Sequence, residues 1–321
     1  MKGLQGYSMN LDYIDISKFL DKDRICLDYL QRNAIYDGAE MYYFNGCRKI
    51  EVWMRQATNQ VNIKGSIPYF INGHNFYASH QDWLEGLDYI QGCLNVNIYS
   101  GQVNSFEFGT IQEIPFPEPD FLSHHIKVRG MEARAYHKGQ VLTGREFVSP
   151  SLKIKLYDVQ RNIKTKLDKP IRADLRRDYG WDSGKHYIKL ENHYRQPEAY
   201  FKGNVQLSEL LSSSFQQDLK KGLLTSYQSI MKTGTTAIPK SKADINAGTI
   251  PLMILKELEE LYGFNTEELI RGKLKEIPED VFSLDDRKAR LRTIRDNLKK
   301  ISQKGESSYD IEELLQARLE A

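Results

Sequence analysis

The chain has 321 residues, of which 27% are charged and 40% hydrophobic, an ordinary globular composition with length for one large or two modest domains. Its three cysteines, Cys26, Cys47 and Cys93, are odd in number and lack metal-ligand spacing, no apolar run follows Lys2, and no stretch approaches the ~18 apolar residues of a membrane span. These features argue against a disulfide framework, a signal peptide and a membrane partner, and the expected compartment is a reducing cytoplasm. Net charge is only +2, yet residues 127–202 hold 18 Lys/Arg against 9 Asp/Glu, so that stretch carries +9 and the remainder −7. Clustered positive charge is the footprint of a phosphate-rich partner such as DNA, with a lysine-rich solvated surface as the plainer reading.

In chain order, Leu11 to Ile16 alternates as a short strand, and I-C-L-D-Y-L-Q-R after it has the look of a helix. From Met41 to Phe70 short period-2 runs separated by N-G-C and A-T-N predict an antiparallel meander. I-P-Y-F-I-N-G-H-N-F-Y ends in a Gly73-His74-Asn75 loop, where His74 is either loop chemistry or a phosphate or metal contact. Trp83, Leu87, Ile90 and Leu94 recur at helical spacing and predict a helix lying on the sheet. In V-N-S-F-E-F-G, Phe106 and Phe108 share one strand face and Glu107 takes the other. The proline-rich segment from Pro115 reads as an excursion off the sheet. Adjacent His124 and His125 would point to opposite faces of a strand and make a poor metal pair.

The middle of the stretch from Ser149 to Lys166 alternates strictly, with Leu152, Ile154 and Leu156 on one face and Lys153, Lys155 and Tyr157 on the other. A tyrosine hydroxyl beside ammonium groups suits an attack on a phosphodiester, although an amphipathic sheet tyrosine is the commoner use of the pattern. In H-Y-I-K-L-E-N-H-Y, Ile188 and Leu190 face inward, which sends Tyr187, Lys189, Glu191 and His193 to the face expected for Tyr157. Beyond Val205 the pattern turns helical. Residues 233–248 read as a linker, Pro251 and Gly263 bracket one helix, and Ser283 and Asp286 cap another with a Leu291, Ile294, Leu298, Ile301 stripe. The expected fold is α+β: an antiparallel sheet with helices on one face over residues 1–203, then a helical region over 204–321 for DNA specificity or dimerisation.

The order of these elements resembles the rolling-circle replication initiators of filamentous bacteriophages, the gene II protein class, and the Rep_trans-type plasmid Rep proteins. I-K-G-S-I-P-Y-F-I-N-G-H-N resembles that family's strand and G-H-N turn, and V-N-S-F-E-F-G its S-R-I-D strand. L-K-I-K-L-Y-D-V-Q-R-N resembles the nucleophile strand, and Y-I-K-L-E-N-H-Y its R-F-E strand. The matches span residues 61–211; Glu107 stands where the family usually has Asp, and the 115–144 insertion is larger than expected.

The resemblance implies origin-specific nicking and joining through a 5′-phosphotyrosine, with a free 3′-OH as primer. Tyr157 would be the nucleophile, flanked by Lys153 and Lys155. Glu107 and Glu191 would hold Mg²⁺ or Mn²⁺, with His74 or His193 as third ligand or proton shuttle. Lys127, Arg129, Arg161, Lys164 and Lys166 would hold the DNA backbone. Implied partners are single-stranded or supercoiled origin DNA, a host helicase and polymerase in a bacterial cytoplasm, and a second copy of the chain. Rejoining would need that second subunit, water, or another tyrosine such as Tyr187 or Tyr194. The alternatives are a non-catalytic DNA-binding protein and a metal-dependent nuclease that uses water.

Overall fold

The computed structural model describes residues 11–20, 25–232, 249–262, 265–301 and 310–320. The chain divides into a larger unit, residues 1–122, 130–229 and 311–321, and a smaller one, residues 123–129 and 230–310. The first half contains β1 (Leu11–Phe19), β2 (Leu30–Tyr36), β3 (Ala39–Phe44), β4 (Cys47–Arg55), β5 (Gln60–Ser66), α1 (Ile67–Asn72), α2 (His80–Leu94) and β6 (Gln102–Ile114). It continues with α3 (Glu118–His124), β7 (His125–Val128), β8 (Glu132–Lys138), β9 (Val141–Val148), β10 (Leu152–Asp158), α4 (Val159–Lys166), α5 (Lys169–Tyr179) and β11 (His186–Tyr194). Then come α6 (Pro197–Phe201), α7 (Leu207–Leu210), α8 (Ser213–Ser229), β12 (Ile230–Lys232), α9 (Thr249–Tyr262), α10 (Thr266–Glu276), α11 (Leu284–Ile301) and α12 (Glu312–Glu320).

The fold is α+β, as the alternation of the sequence predicts. Ten strands of the larger unit form one sheet in the order β2-β3-β4-β5-β1-β6-β11-β10-β9-β8, and the pairings are antiparallel. Asp37-Gly38 closes the β2–β3 hairpin with both residues at positive φ, the geometry of a type I′ turn. Residues opposite one another on antiparallel strands share a face, so Ile16, Ile63 and Val52 lie in one row. That face is the main core, joined by buried Ile14, Phe106 and Phe108.

Helices cover this face because their apolar residues recur every three or four positions. Helix α2 buries Trp83, Leu87, Ile90 and Leu94, opens on a Ser79–Asp82 capping box, and donates Trp83 Nε1–H to the Leu11 carbonyl at 3.2 Å. Phe44 packs on Phe70 and Tyr89, and Phe106 stacks on Tyr194 at 4.7 Å. The opposite face carries a second, smaller core, in which Tyr157, Ile111 and Tyr187 meet Val159 and Ile163 of α4, Leu175 of α5, and Trp181.

The smaller unit pairs β7 with β12 and packs α9, α10 and α11. Ser283 caps α11 as its sequence predicts, its Oγ accepting from Asp286 N–H at 3.2 Å, and Glu267 joins Arg271 and Arg295. Leu291, Ile294 and Leu298 are half-buried. No described helix is long and apolar enough to cross a membrane.

Three expectations change. The helix expected over I-C-L-D-Y-L-Q-R is instead a loop leading into β2, because the Asp37-Gly38 hairpin pairs Leu30–Tyr36 with β3 and that pairing overrides local propensity. Within the segment from Pro115 to Gly144, α3 leaves the sheet, but β8 and β9 return and extend it beyond β10. The compact units also divide elsewhere than at residue 203: α6, α7, α8 and α12 belong with the sheet, and residues 123–129 belong with the later helices. The expected 233–248 linker lies outside the described residues.

At Gly109, a Cβ would stand 2.5 Å from the Leu190 carbonyl oxygen and 2.9 Å from Glu191 Cα. Gly109→Ala is therefore expected to lower unfolding free energy by about 2 kcal/mol, the scale of overpacking, as measured by urea denaturation followed by tryptophan fluorescence. An unchanged midpoint would contradict the close approach of β6 and β11.

Candidate active site

Register brings four of the predicted residues, Glu107, Lys155, Tyr157 and Glu191, together. Strand β11 sets Glu191 opposite Lys155 of β10 and Gly109 of β6, and sets His193 opposite Lys153 and Glu107. Tyr157 lies opposite Lys189 on one side and Gly144 of β9 on the other. A Cβ at position 144 would come 3.1 Å from Tyr157 Cβ, so glycine there leaves room for the tyrosine. The fourth acidic or basic partner from a separate strand is Asp12 of β1, where the register to β6 slips between Leu11 and Ile14. A slip of this kind re-aims side chains, and here Asp12 joins the site while Leu11 and Ile14 stay in the core.

Asp12, Glu107 and Glu191 each offer an oxygen, and the three oxygens lie within 4.8 Å of one another. Two lysines neutralise them in part. Lys155 Nζ pairs with Glu107 and stands 3.3 Å from Glu191 Oε2, while Lys189 Nζ pairs with Asp12 and stands 2.8 Å from Glu191 Oε1. The last contact lacks the direction of a hydrogen bond, which leaves Glu191 Oε1 buried without a donor. Asp12 also accepts from Ser66 Oγ at 2.7 Å and Asn75 Nδ2 at 2.5 Å.

Burial opposes the charge on Asp12, Glu107, Lys155, Lys189 and Tyr157, and the partners set how far it prevails. For Asp12, burial is outweighed by Lys189, Ser66 and Asn75, which together hold the carboxyl below its ordinary value. Burial and the Glu191 charge push Glu107 up to about 7 against the pull of Lys155. Burial works against Lys155 and Lys189, but the carboxylates hold both above the ordinary lysine value. Burial and then Glu191 raise the Tyr157 phenol well above its ordinary value, with Lys189 opposing only in part. Three carboxylates against two ammonium groups leave one formal negative charge in the cluster. This oxygen-only set with an undonated Oε1 can hold a metal ion, and added positive charge there would also ease ionisation of Tyr157.

Tyr157, Lys155, Glu107, Glu191 and Asp12 line one cleft of about 710 Å³, with Arg161 and Lys166 of α4 also on its wall. Lys164 is exposed in the last turn of α4. Lys153 is engaged with Glu146 of β9 at 3.4 Å and does not line the cleft. Lys127 and Arg129 fall in the smaller unit. His74 stands outside the carboxylate cluster, 4% exposed, edge-on to Tyr179 at 5.4 Å and with Nδ1 unpartnered. His193 Nδ1 is 3.3 Å from Glu107 Oε1, and burial followed by Lys155 pushes its pKa down to about 4. Tyr187 and Tyr194 are core residues, 5% and 1% exposed.

Sequence reasoning overlooked two members of the site. Asp12 was contained in the Leu11–Ile16 strand, but a bulge cannot be read from alternation. Lys189 lies on the face its alternation predicts, but the open face expected there is buried around Lys189 and Glu191. No known protein-family model matches the chain, and no curated protein matches it.

His74 gives the site's surroundings a pH signature. Burial lowers its pKa to about 4 from an ordinary 6.5, so between those values the unfolded chain binds a proton that the folded chain does not. Stability therefore falls as pH drops through that window. Urea denaturation across pH 4–7 is expected to show wild type losing about 1–3 kcal/mol more than His74→Gln. Parallel profiles would contradict a neutral, buried His74.

Proposed function

We propose that the chain nicks and rejoins DNA through a tyrosine transesterification that depends on a divalent cation, as expected of a replication initiator. The observation that carries this reading is the meeting of Tyr157 with Asp12, Glu107, Glu191 and Lys155 in one cleft, with Lys189 paired to Asp12 and Glu191. Asp12, Glu107 and Glu191 would hold Mg²⁺ or Mn²⁺, hard ions that favour oxygen ligands, and the ion would polarise the scissile phosphate and favour the phenolate.

The protein's own groups supply the rest. Tyr157 Oη forms the bond to phosphorus while the bond from phosphorus to the 3′ oxygen breaks, and the phenolic proton ends on that oxygen. The products are a 5′-phosphotyrosine and a free 3′-OH, and because the phosphodiester energy is retained, the reverse reaction joins a strand. Lys189, opposite Tyr157, favours the phenolate. Lys155 stays charged beside the carboxylates and helps bear the negative charge of the transition state. Arg161 and Lys166, on the cleft wall, would take the backbone on either side of the scissile phosphate. Rejoining from Tyr187 or Tyr194 is disfavoured by their burial in the core, which leaves a second copy of the chain or water for that step.

A second reading has an observation in its favour. The phenol of Tyr157 is held strongly protonated by burial and Glu191, which would suit a nuclease in which water attacks instead. Both readings are tested by incubating the protein with single-stranded origin DNA and Mn²⁺ and resolving the products on a denaturing SDS gel. Wild type is expected to give an SDS-stable protein–DNA adduct, Tyr157→Phe none, and Glu191→Gln about 100-fold less, the scale of losing a charge-stabilising group. Cleavage that survives Tyr157→Phe without adduct would move the chemistry to water, and neither cleavage nor adduct from wild type would overturn the enzymatic reading.

A further inference from the structure

Behind the carboxylate cluster, β6 runs on past the described part of β1. Residues Gly109 to Glu113 pair with β11 on one side, but the pairing of β1 on the other side stops at Leu11 and Phe108. Two cavities lie against this part of β6 and share Phe76, Tyr77, Ile111 and Arg318. The first reaches Asp12 and Lys189. The second, about 130 Å³, is walled by Tyr77, Tyr179 and Tyr187. At a water's share of liquid volume, ~30 Å³, the second cavity has room for about four waters, close to the ~150 Å³ that accommodates one benzene ring and so of the size of one planar heterocycle.

Two polar groups of this cavity, the Arg318 guanidinium and Gln112 Oε1, have no hydrogen-bond partner among the described residues. Arg318, on α12, is half-buried and has no ion pair or hydrogen bond among the described residues. The acid nearest to hand in the lining, Glu113, is already held by Lys185 at 2.9 Å. Gln112, also in the lining, has a buried Oε1 with no donor. A guanidinium withdrawn from water without an anion is costly, and so is an orphaned buried acceptor. The walls are aromatic: the Tyr77 and Tyr179 rings stand 5.1 Å apart at 36°, and Tyr187 meets Phe76 edge-on at 5.9 Å. A cation seeking an anion, an acceptor seeking a donor and tyrosine faces together match a nucleotide, with its phosphate, its base edge and its ring.

We propose that the cavity between Tyr77, Tyr179 and Tyr187 binds one unstacked nucleotide of the strand held at the carboxylate cluster, its base against the tyrosines and its phosphate on Arg318. The assignment of the ligand to a DNA strand rests on the nicking reading above. The pocket would hold a nucleotide close to the scissile phosphate out of the stack, and so fix where the strand lies relative to Tyr157.

The test compares two 12-mers in EDTA, where no cleavage occurs: oligo-dT and a fully abasic strand with the same backbone, each binding full-length protein by fluorescence anisotropy. Wild type is expected to bind dT12 at least about 10-fold more tightly than the abasic strand, within the range of one base stacked on aromatic side chains. Tyr179→Leu is expected to bring that ratio close to one while leaving the abasic affinity unchanged. Arg318→Gln is expected to weaken both strands alike and to reduce the salt slope by about one, as the loss of one phosphate contact would. Thermal melting confirms that each variant is folded, and Tyr77→Leu replaces Tyr179→Leu if the latter is not.

A ratio near one in wild type overturns the strand assignment. If millimolar dTMP then raises the wild-type Tm but not that of the Arg318→Gln variant, the ligand is a free nucleotide; without that response the pocket itself is refuted. Adduct formation at Tyr157 is read separately in Mn²⁺, so loss of the pocket and loss of the nicking reading are distinguishable.

Discussion

The larger unit is built around a charge balance that has to be kept inside the protein. Asp12, Glu191 and Lys189 are 7%, 1% and 3% exposed, and groups so withdrawn from water are tolerated only when each finds an opposite charge or a donor. Four strands supply the members: β1 gives Asp12, β6 gives Glu107, β10 gives Lys155, and β11 gives both Lys189 and Glu191. The pairing of these strands is thus tied to the electrostatics, because a slip of one residue would turn the acids into the apolar core on the other face. The balance is incomplete, with Glu107 raised to about 7 by burial and Glu191, and with Glu191 Oε1 left without a donor. A bound cation would resolve both features at once.

The two faces of the sheet carry different duties. One holds the aromatic and aliphatic core beneath α1, α2, α6 and α8, where Phe106, Tyr194 and Phe201 interlock. The other is closed only at one end, by α4 and α5 over Tyr157 and Tyr187, which leaves the cleft beside them. Tyr157 belongs to both regions. Its ring is part of the small core, and its residue lines the cleft, so packing positions the hydroxyl that the proposed chemistry needs.

Alternation was enough to locate β6, β10 and β11 and to place Glu107, Lys155, Tyr157 and Glu191 on a shared face, since period 2 is a direct consequence of strand geometry. It could not reveal that face's burial at Lys189, because burial depends on α4 and α5 folding back over it. Asp12 escaped notice for a different reason: a bulge is set by pairing between β1 and β6, residues far apart in sequence. The G-H-N motif points His74 toward a metal, whereas the fold seats its ring against Tyr179. The basic residues divide similarly, with Arg161 and Lys166 on the cleft and Lys127 and Arg129 in another unit, because net charge along a chain does not specify which turns of which helix face the site.

The central claim is that Asp12, Glu107 and Glu191 form one cation site. Crystals of the protein soaked in Mn²⁺ and measured at the manganese absorption edge test it most directly. The account predicts an anomalous peak within ligand distance, roughly 2.0–2.4 Å, of one oxygen from each of the three carboxylates. A fully occupied Mn²⁺ elsewhere, with the three carboxylates still paired to Lys155 and Lys189, would contradict it.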